Sequence, residues 1–328
     1  MTEVIPMRDP LGKAFPNSVA LEGVYDAERL SRELKAFDRH FGSPLSAASG
    51  RRVLPLRSVG GDPHRTDSGG PSLSGFGETP WLARLPYLRK LLEDLPAPLL
   101  GVRLMALAPG ARLSNLQSVK CGPPWGLCRL HLPIVSGPRA RTVFAGENRC
   151  WDPGTLWFVA SWRVHAMVNR EPFELVHLVV DTCHTDGLSR MFPQQLRQRL
   201  DGVPSLSLRP QVPLRPADAQ GYRCRFRMPE TFANWEQPGH HLPRDSGKGL
   251  VTAEVDVHEG VPRLLLDSRP FCSLEHIGEG EFRLCGWSDE RTLQVVGTNE
   301  SRVVLLRTRE GSSTYRVRLP ALPPTSEE

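Results

Sequence analysis

The sequence predicts a mainly β protein with N-terminal helices, built as two β domains in tandem. Three observations carry this. From about Leu99 to Thr182 short β-prone runs alternate with Pro-Gly or Asn-bearing turns. A Pro-rich stretch, "VPSLSLRPQVPLRPADA" (Val203 to Ala219), then breaks the series. A second set of short strands follows it to the C-terminus. The expected division is a first domain over 1–202, an extended linker over 203–219 and an all-β domain over 220–328.

Taken in order, "DAERLSRELKAFDRHF" opens at Asp26 and repeats Ala27, Leu30, Leu34, Phe37 and Phe41 at helical spacing, so it predicts an amphipathic helix. The next forty or so residues, through "SVGGDPHRTDSGGPSLSGFGETP", are rich in Gly, Ser, Asp and Pro and read as a long loop. Thr79 and Pro80 offer an N-cap and first-turn proline for a short helix, and Pro86 starts a second in "PYLRKLLEDL". Six runs then read as strands: "LLGVRLMAL", "CRLHLPIVS", "RTVFAG", "GTLWFVAS", "HAMVN" and "FELVHLVVDT". Strands of that number and length suggest a sandwich or jelly roll. "FPQQLRQRLDG" (Phe192 to Gly202) reads as a closing helix. After the linker, seven runs from "GYRCRFRM" to "TYRVRL" predict a small antiparallel barrel or sandwich.

Charge and cysteine content exclude several classes. The net charge of +5 comes from 41 basic and 36 acidic residues with no run of like charges, so a nucleic-acid arm is not expected. "RQR" (Arg197 to Arg199) and "RCRFR" (Arg223 to Arg227) read as solvated faces. The 7 cysteines include no Cys-x-x-Cys, so neither zinc ribbon nor redox pair is signalled. No stretch of about 18 apolar residues occurs, and the first residues lack a signal-peptide core. A cytoplasmic protein with no membrane partner is the expectation.

Between Pro55 and His184 the chain carries a series of landmarks. These are "LAPG", "CRLHLPI", a Pro-Gly turn before an aromatic strand, "VHAMVN" and "ELVHLVVD". The series resembles the aspartyl/asparaginyl and prolyl β-hydroxylase family of iron(II)/2-oxoglutarate dioxygenases, and Pro109 to Asp181 lies on the family pattern without a gap. The resemblance implies a double-stranded β-helix, a cupin-like jelly roll, for the first domain. It also implies a two-His, one-carboxylate triad for iron(II) and an arginine fork for the cosubstrate carboxylate.

Counting from Pro109, the family's first His falls on Leu116 and its Asp on Ser118. The distal His is kept as His165, with Asn169 after it, while the closing arginine falls on Leu175. Arg129 and His131 match residues that touch the cosubstrate in the aspartyl hydroxylase branch. That branch lacks the carboxylate ligand, so Ser118 alone excludes nothing. Leu116 leaves His165 as the remnant of the metal set, and one imidazole does not hold iron(II) against water. Losing the arginine forfeits a further ~1.5 to 3 kcal/mol of charge-assisted contact.

These losses predict a non-catalytic relative, a pseudoenzyme that uses its N-terminal pocket to bind a small molecule, amino acid, peptide or protein partner, with no cofactor expected. The competing expectation is an active dioxygenase that hydroxylates an amino acid or peptide side chain. It would use iron(II) and 2-oxoglutarate with unorthodox ligation, for instance by His131, His165 and His177. Leu116, His131, His165 and Leu175 are expected to converge on one cavity, smaller and drier than an oxygenase pocket. Asp181 is expected to cap the turn after the last strand. "HRTD" (His64 to Asp67) and "GHH" (Gly239 to His241) read as turns. "LLLDSRPFCSLEHIGEGEFRL" resembles the small lipocalin-like β domains appended to bacterial enzymes.

Overall fold

In the computed structural model the β-prone runs pair into three antiparallel sheets. It describes residues 12, 15–35, 50–118, 120–236, 249–297 and 301–323. The chain divides into two units: Met1–Ser68, Phe76–Pro123 and Leu127–Val203 form the first, and Gly69–Gly75, Pro124–Gly126 and Pro204–Glu328 the second.

The first unit is a jelly roll of two sheets. Its larger sheet contains β1 (Ser18–Val24), β2 (Arg51–Val59), β3 (Phe76–Glu78), β4 (Leu99–Leu107), β6 (Leu127–Val135), β9 (Thr155–Val159) and β11 (Leu175–Cys183), in the order β1-β9-β6-β11-β4-β2-β3. The smaller sheet is β5 (Arg112–Leu116), β7 (Ala140–Phe144), β8 (Glu147–Arg149) and β10 (His165–Asn169), in the order β5-β10-β7-β8. Every residue of β11 is buried. It is central in its sheet, and apart from His177, Asp181 and Thr182 its residues are apolar, so apolar side chains go to both of its faces. Helix α1 (Ala27–Lys35) buries Leu30 and Leu34 and packs against β6. Helix α2 (Pro86–Glu93) starts on its proline and buries Leu88, Leu91 and Leu92.

Two expectations need correction here, and a third cannot be compared. The supposed loop begins with β2, whose Pro55 hides it: proline has no N–H for a ladder, and the register of β2 against β4 slips between Pro55 and Arg57. Thr79 is not a helix cap, because its hydroxyl donates to the Pro55 carbonyl at 2.8 Å. A 3-10 turn at Leu82–Arg84 occupies that place. The predicted first helix extends to Phe41, and its end lies outside the described residues, as does "GHH".

The second unit is an eight-stranded meander, one strand more than expected. Its strands are β12 (Cys224–Pro229), β13 (Leu250–His258), β14 (Val261–Leu266), β15 (Arg269–His276), β16 (Glu281–Leu284), β17 (Arg291–Val296), β18 (Val303–Glu310) and β19 (Ser313–Pro320), each beside its sequence neighbour. The strand that went uncounted is β15, which opens on Arg-Pro. A single bridge between Arg225 and Leu322 brings the two ends of the sheet together, so the barrel is nearly closed. Phe226, Leu264, Phe282 and Leu306 are buried in its core. Outside that core, Glu281 accepts from Arg209, Arg309 and Thr292. Burial pushes its carboxyl up, but these donors outweigh burial and hold it well below the carboxylate range. The Pro-rich stretch is not extended throughout, since its last residues enter a short helix at Pro216–Gln220. No helix among the described residues is long and apolar enough to cross a membrane.

Candidate functional site

The candidate site is the space between the two sheets of the first unit, and β11 sets its chemistry. Alternate residues of a strand share a face, so Leu175, His177, Val179 and Asp181 all point inward. At the Leu175 end the surroundings are apolar. Leu175 and Val179 pack with Met105 and Leu107 of β4, Leu113 of β5, Ala140 of β7 and Met167 of β10, and Leu116 lies against this cluster. The Asp181 end is ionic. Asp181 accepts from Arg129 Nε at 2.6 Å and Nη2 at 3.1 Å, and from Arg103 Nη1 at 2.8 Å. The remaining Arg129 Nη1 donates to the Ser118 hydroxyl. Burial raises the Asp181 carboxyl, yet Arg129 and Arg103 outweigh it and hold the group below its ordinary value.

A one-residue bulge in β5 aims Leu116 inward. His165 pairs with Leu116 and Met167 with Leu113, so Ser114 and Asn115 together oppose Ala166. The extra residue shifts the alternation, and Leu113 and Leu116, three apart, come to share a face. Asn115 adopts the left-handed backbone the bulge requires, with φ 55, a conformation asparagine tolerates better than most residues. Asn115→Val is expected to destabilise the protein by about 1–3 kcal/mol, while Asn115→Gly leaves it nearly unchanged. Urea unfolding of the two variants checks this.

The three histidines do not share one centre. His165 stacks on Phe144 at 5.0 Å between ring centroids, and its Nδ1 meets the Arg163 carbonyl at 2.9 Å. His131 and His177 meet edge to face at 5.9 Å, and Trp151 lies 5.4 Å from His131 and 5.9 Å from His177. His131 Nδ1 and both ring nitrogens of His177 are buried with no hydrogen-bond partner among the described residues. Burial, then the neighbouring His177 and Arg129, pushes His131 well below its ordinary value, and burial takes His177 down to about 4. Both rings are neutral at pH 7. Among the described residues no three of His, Cys, Asp and Glu are grouped to hold a metal ion.

The residues present do not fit iron(II) and 2-oxoglutarate. In the family's register the first ligand position is an apolar side chain, Leu116, and the arginine position is Leu175, only 2% exposed within a leucine and methionine cluster. Ser118 offers a hydroxyl already engaged by Arg129. Among the described residues one small cavity here, of ≈ 10 Å³ and enough for about one water, is lined by Leu175, His177, Trp151, Met167 and the polar residues of β7 and β8. Of the four residues expected around one cavity, Leu175 lines this one.

One further placement differs from expectation, and one residue acquires a role. Asp181 does not cap the turn that follows it; Thr185 does, its hydroxyl accepting from the Leu188 N–H at 3.1 Å ahead of helix α3 (Asp186–Arg190). Asn169 has a structural task, its Nδ2 donating to the Leu107 and Phe173 carbonyls, both at 2.9 Å. Arg103 and Trp151 were missed by sequence reasoning. Arg103 had a readable signal, a lone cation on the inward phase of the apolar run "LLGVRLMAL", which requires a buried anion. "HRTD" is a surface turn, with Arg65 paired to Asp67 and the His64 N–H on Asp62.

Comparison with known proteins places this unit. Residues 73–185 match the family model described as Aspartyl/Asparaginyl beta-hydroxylase, and this part of the chain is a relative of the hydroxylase family. No curated protein matches the sequence. Similar solved structures include an oxidoreductase of the 2OG-Fe(II) oxygenase family from Burkholderia pseudomallei, 12% identical, covering 54% of this chain and 89% of that one with a TM-score of 0.38. Another is HygX from Streptomyces hygroscopicus with nickel and 2-oxoglutarate bound, 8% identical, covering 52% and 84% with a TM-score of 0.35. A third is a cupin-superfamily sugar phosphate isomerase from Silicibacter pomeroyi, 21% identical, covering 44% and 68% with a TM-score of 0.24.

Proposed function

We propose that this chain is a non-catalytic relative of the iron(II)/2-oxoglutarate hydroxylases that works as a binding or interaction protein. The observation that carries the reading is the self-sufficiency of the interior. Leu116 and Leu175 belong to one apolar cluster, Ser118 is held by Arg129, and Arg129 and Arg103 are both bonded to Asp181. A binding group that is already paired inside the protein gains little from a ligand, because each new contact replaces one of similar strength.

The test is a pair of measurements on the purified full chain. Loading with iron(II) and dialysis is expected to leave well under one metal ion per chain, and incubation with 2-oxoglutarate, iron(II) and ascorbate to yield no succinate above a protein-free control. Iron near one per chain together with succinate would overturn the reading. Variants restate it from the other side. Leu175→Arg is expected to destabilise the first unit by several kcal/mol, because the new cation has no anion in its apolar cluster. Thermal melting of that variant checks the packing argument without reference to activity.

A further inference from the structure

We propose that the edge of β19 is a docking site for an extended segment of another protein, one that alternates apolar and acidic residues and adds to the meander as its ninth strand. This concerns the second unit and is independent of the non-catalytic reading of the first.

The geometry is that of an unfinished barrel. β19 pairs with β18 along its whole length, from Val303 opposite Pro320 to Glu310 opposite Ser313. On its other side β12 lies close to it, but among the described residues the two are hydrogen-bonded through one bridge just past the strand: the Arg225 N–H donates to the Leu322 carbonyl at 3.0 Å and the Leu322 N–H to the Arg225 carbonyl at 2.7 Å. Beyond it the backbone of β19 has no further strand partner there, and such an edge is a template for another chain.

The side chains on that edge argue for what would lie along it. Tyr315, Val317 and Leu319 stand opposite Thr308, Leu306 and Val304, which are buried to 3%, 0% and 0%. They therefore belong to the core-facing side, yet Tyr315 is 39% exposed and Leu322, just past the strand, 51%. An added strand covers this side with its apolar residues. The opposite face carries exposed Arg316 and Arg318, with no ion pair of their own among the described residues, and Arg316 lies directly opposite Arg307. Arg307 has Glu281 beside it, whereas a carboxylate on an incoming strand would lie across from Arg316 and Arg318, and opposite charges facing each other across strands are favourable. The same arginines disfavour a second copy of this chain, which would set Arg316 and Arg318 near their own kind. The occupant that fits is apolar toward the core and acidic toward solvent.

The probe is a labelled eight-residue peptide alternating Val and Glu, compared with one alternating Val and Lys. Saturable binding of the Val-Glu peptide to the full chain is expected, about tenfold or more tighter than Val-Lys, with slowed amide hydrogen exchange over residues 313–319. The surface variant Arg316→Glu/Arg318→Glu is expected to fold normally by circular dichroism and to reverse the preference. No saturable binding up to about 1 mM, exchange unchanged over 313–319, or a preference that the charge reversal does not move would each overturn the proposal. So would a concentration-dependent dimer that protects the same amides without peptide, since the occupant would then be a second copy.

Discussion

Replacing Asp181 with Asn is expected to remove about 3–5 kcal/mol of stability, a large part of the ~5–15 kcal/mol that a folded domain has in total. The carboxylate sits at the inner face of β11 with arginines on either side, Arg129 from β6 and Arg103 from β4, and all three side chains are at most 14% exposed. Coulomb attraction offsets the cost of taking these charges out of water only while the anion is present. Asn keeps the shape and loses the charge, leaving two guanidinium groups to repel each other in a poorly solvated space. Urea unfolding measures the loss, and Asp186→Asn, on an exposed residue a few positions on, serves as the control expected within about 0.5 kcal/mol of the parent. A loss under about 1 kcal/mol for Asp181→Asn would mean that water reaches the arginines and that the interior is far wetter than described.

The second large effect is with pH. His177 titrates at about 4 in the folded protein because burial disfavours its cation, against about 6.5 in an unfolded chain. Between those values the unfolded state binds a proton that the folded state does not, so stability rises with pH and is lost as pH falls from about 6.5 to 4. The loss from this group is about 3 kcal/mol. The charged or titratable side chains around it are His131 from β6, Arg141 from β7 and Arg149 from β8; none is an anion that would hold the imidazolium. His131, depressed in the same direction, adds to the effect. His177→Phe removes the titration and the two unpartnered nitrogens, so it is expected to match or exceed the parent at pH 7. Its advantage should widen by about 3 kcal/mol toward pH 4. Parallel pH profiles for the two proteins would refute burial as the cause.

Much of the jelly roll was legible because its inner strands announce themselves. "CRLHLPIVS" and "FELVHLVVDT" are too apolar to be anything but interior, and the turns between them are marked by proline, glycine and asparagine. What was not legible depended on partners remote in sequence. Asp181 looked like a turn cap because a short acidic residue at a strand end usually is one, and nothing local says that Arg103 and Arg129 arrive beside it. The bulge at Asn115 was hidden for a similar reason: it is defined only against β10, through the pairing of His165 with Leu116. The site itself was read residue by residue from spacing. The filling of its cavity by Trp151 and the methionine of β10 was not, since packing volume is a property of the assembled sheets.

The order of strands in the two units also bears on how each comes to be built. In the second unit every strand neighbours the next one in sequence, so the meander can grow by successive hairpins with short loop closures, and among its strand pairings only the bridge from Arg225 to Leu322 links the first strand to the far end. The first unit has the opposite habit: β1 must find β9, and β11 must settle between β6 and β4. Sequence-local pairing is fast and distant pairing slow, because chain entropy is lost before the contacts that reward it form. In refolding from denaturant, then, the C-terminal barrel is expected to gain its exchange-protected amides first, and the jelly roll with its buried carboxylate to be the slow phase.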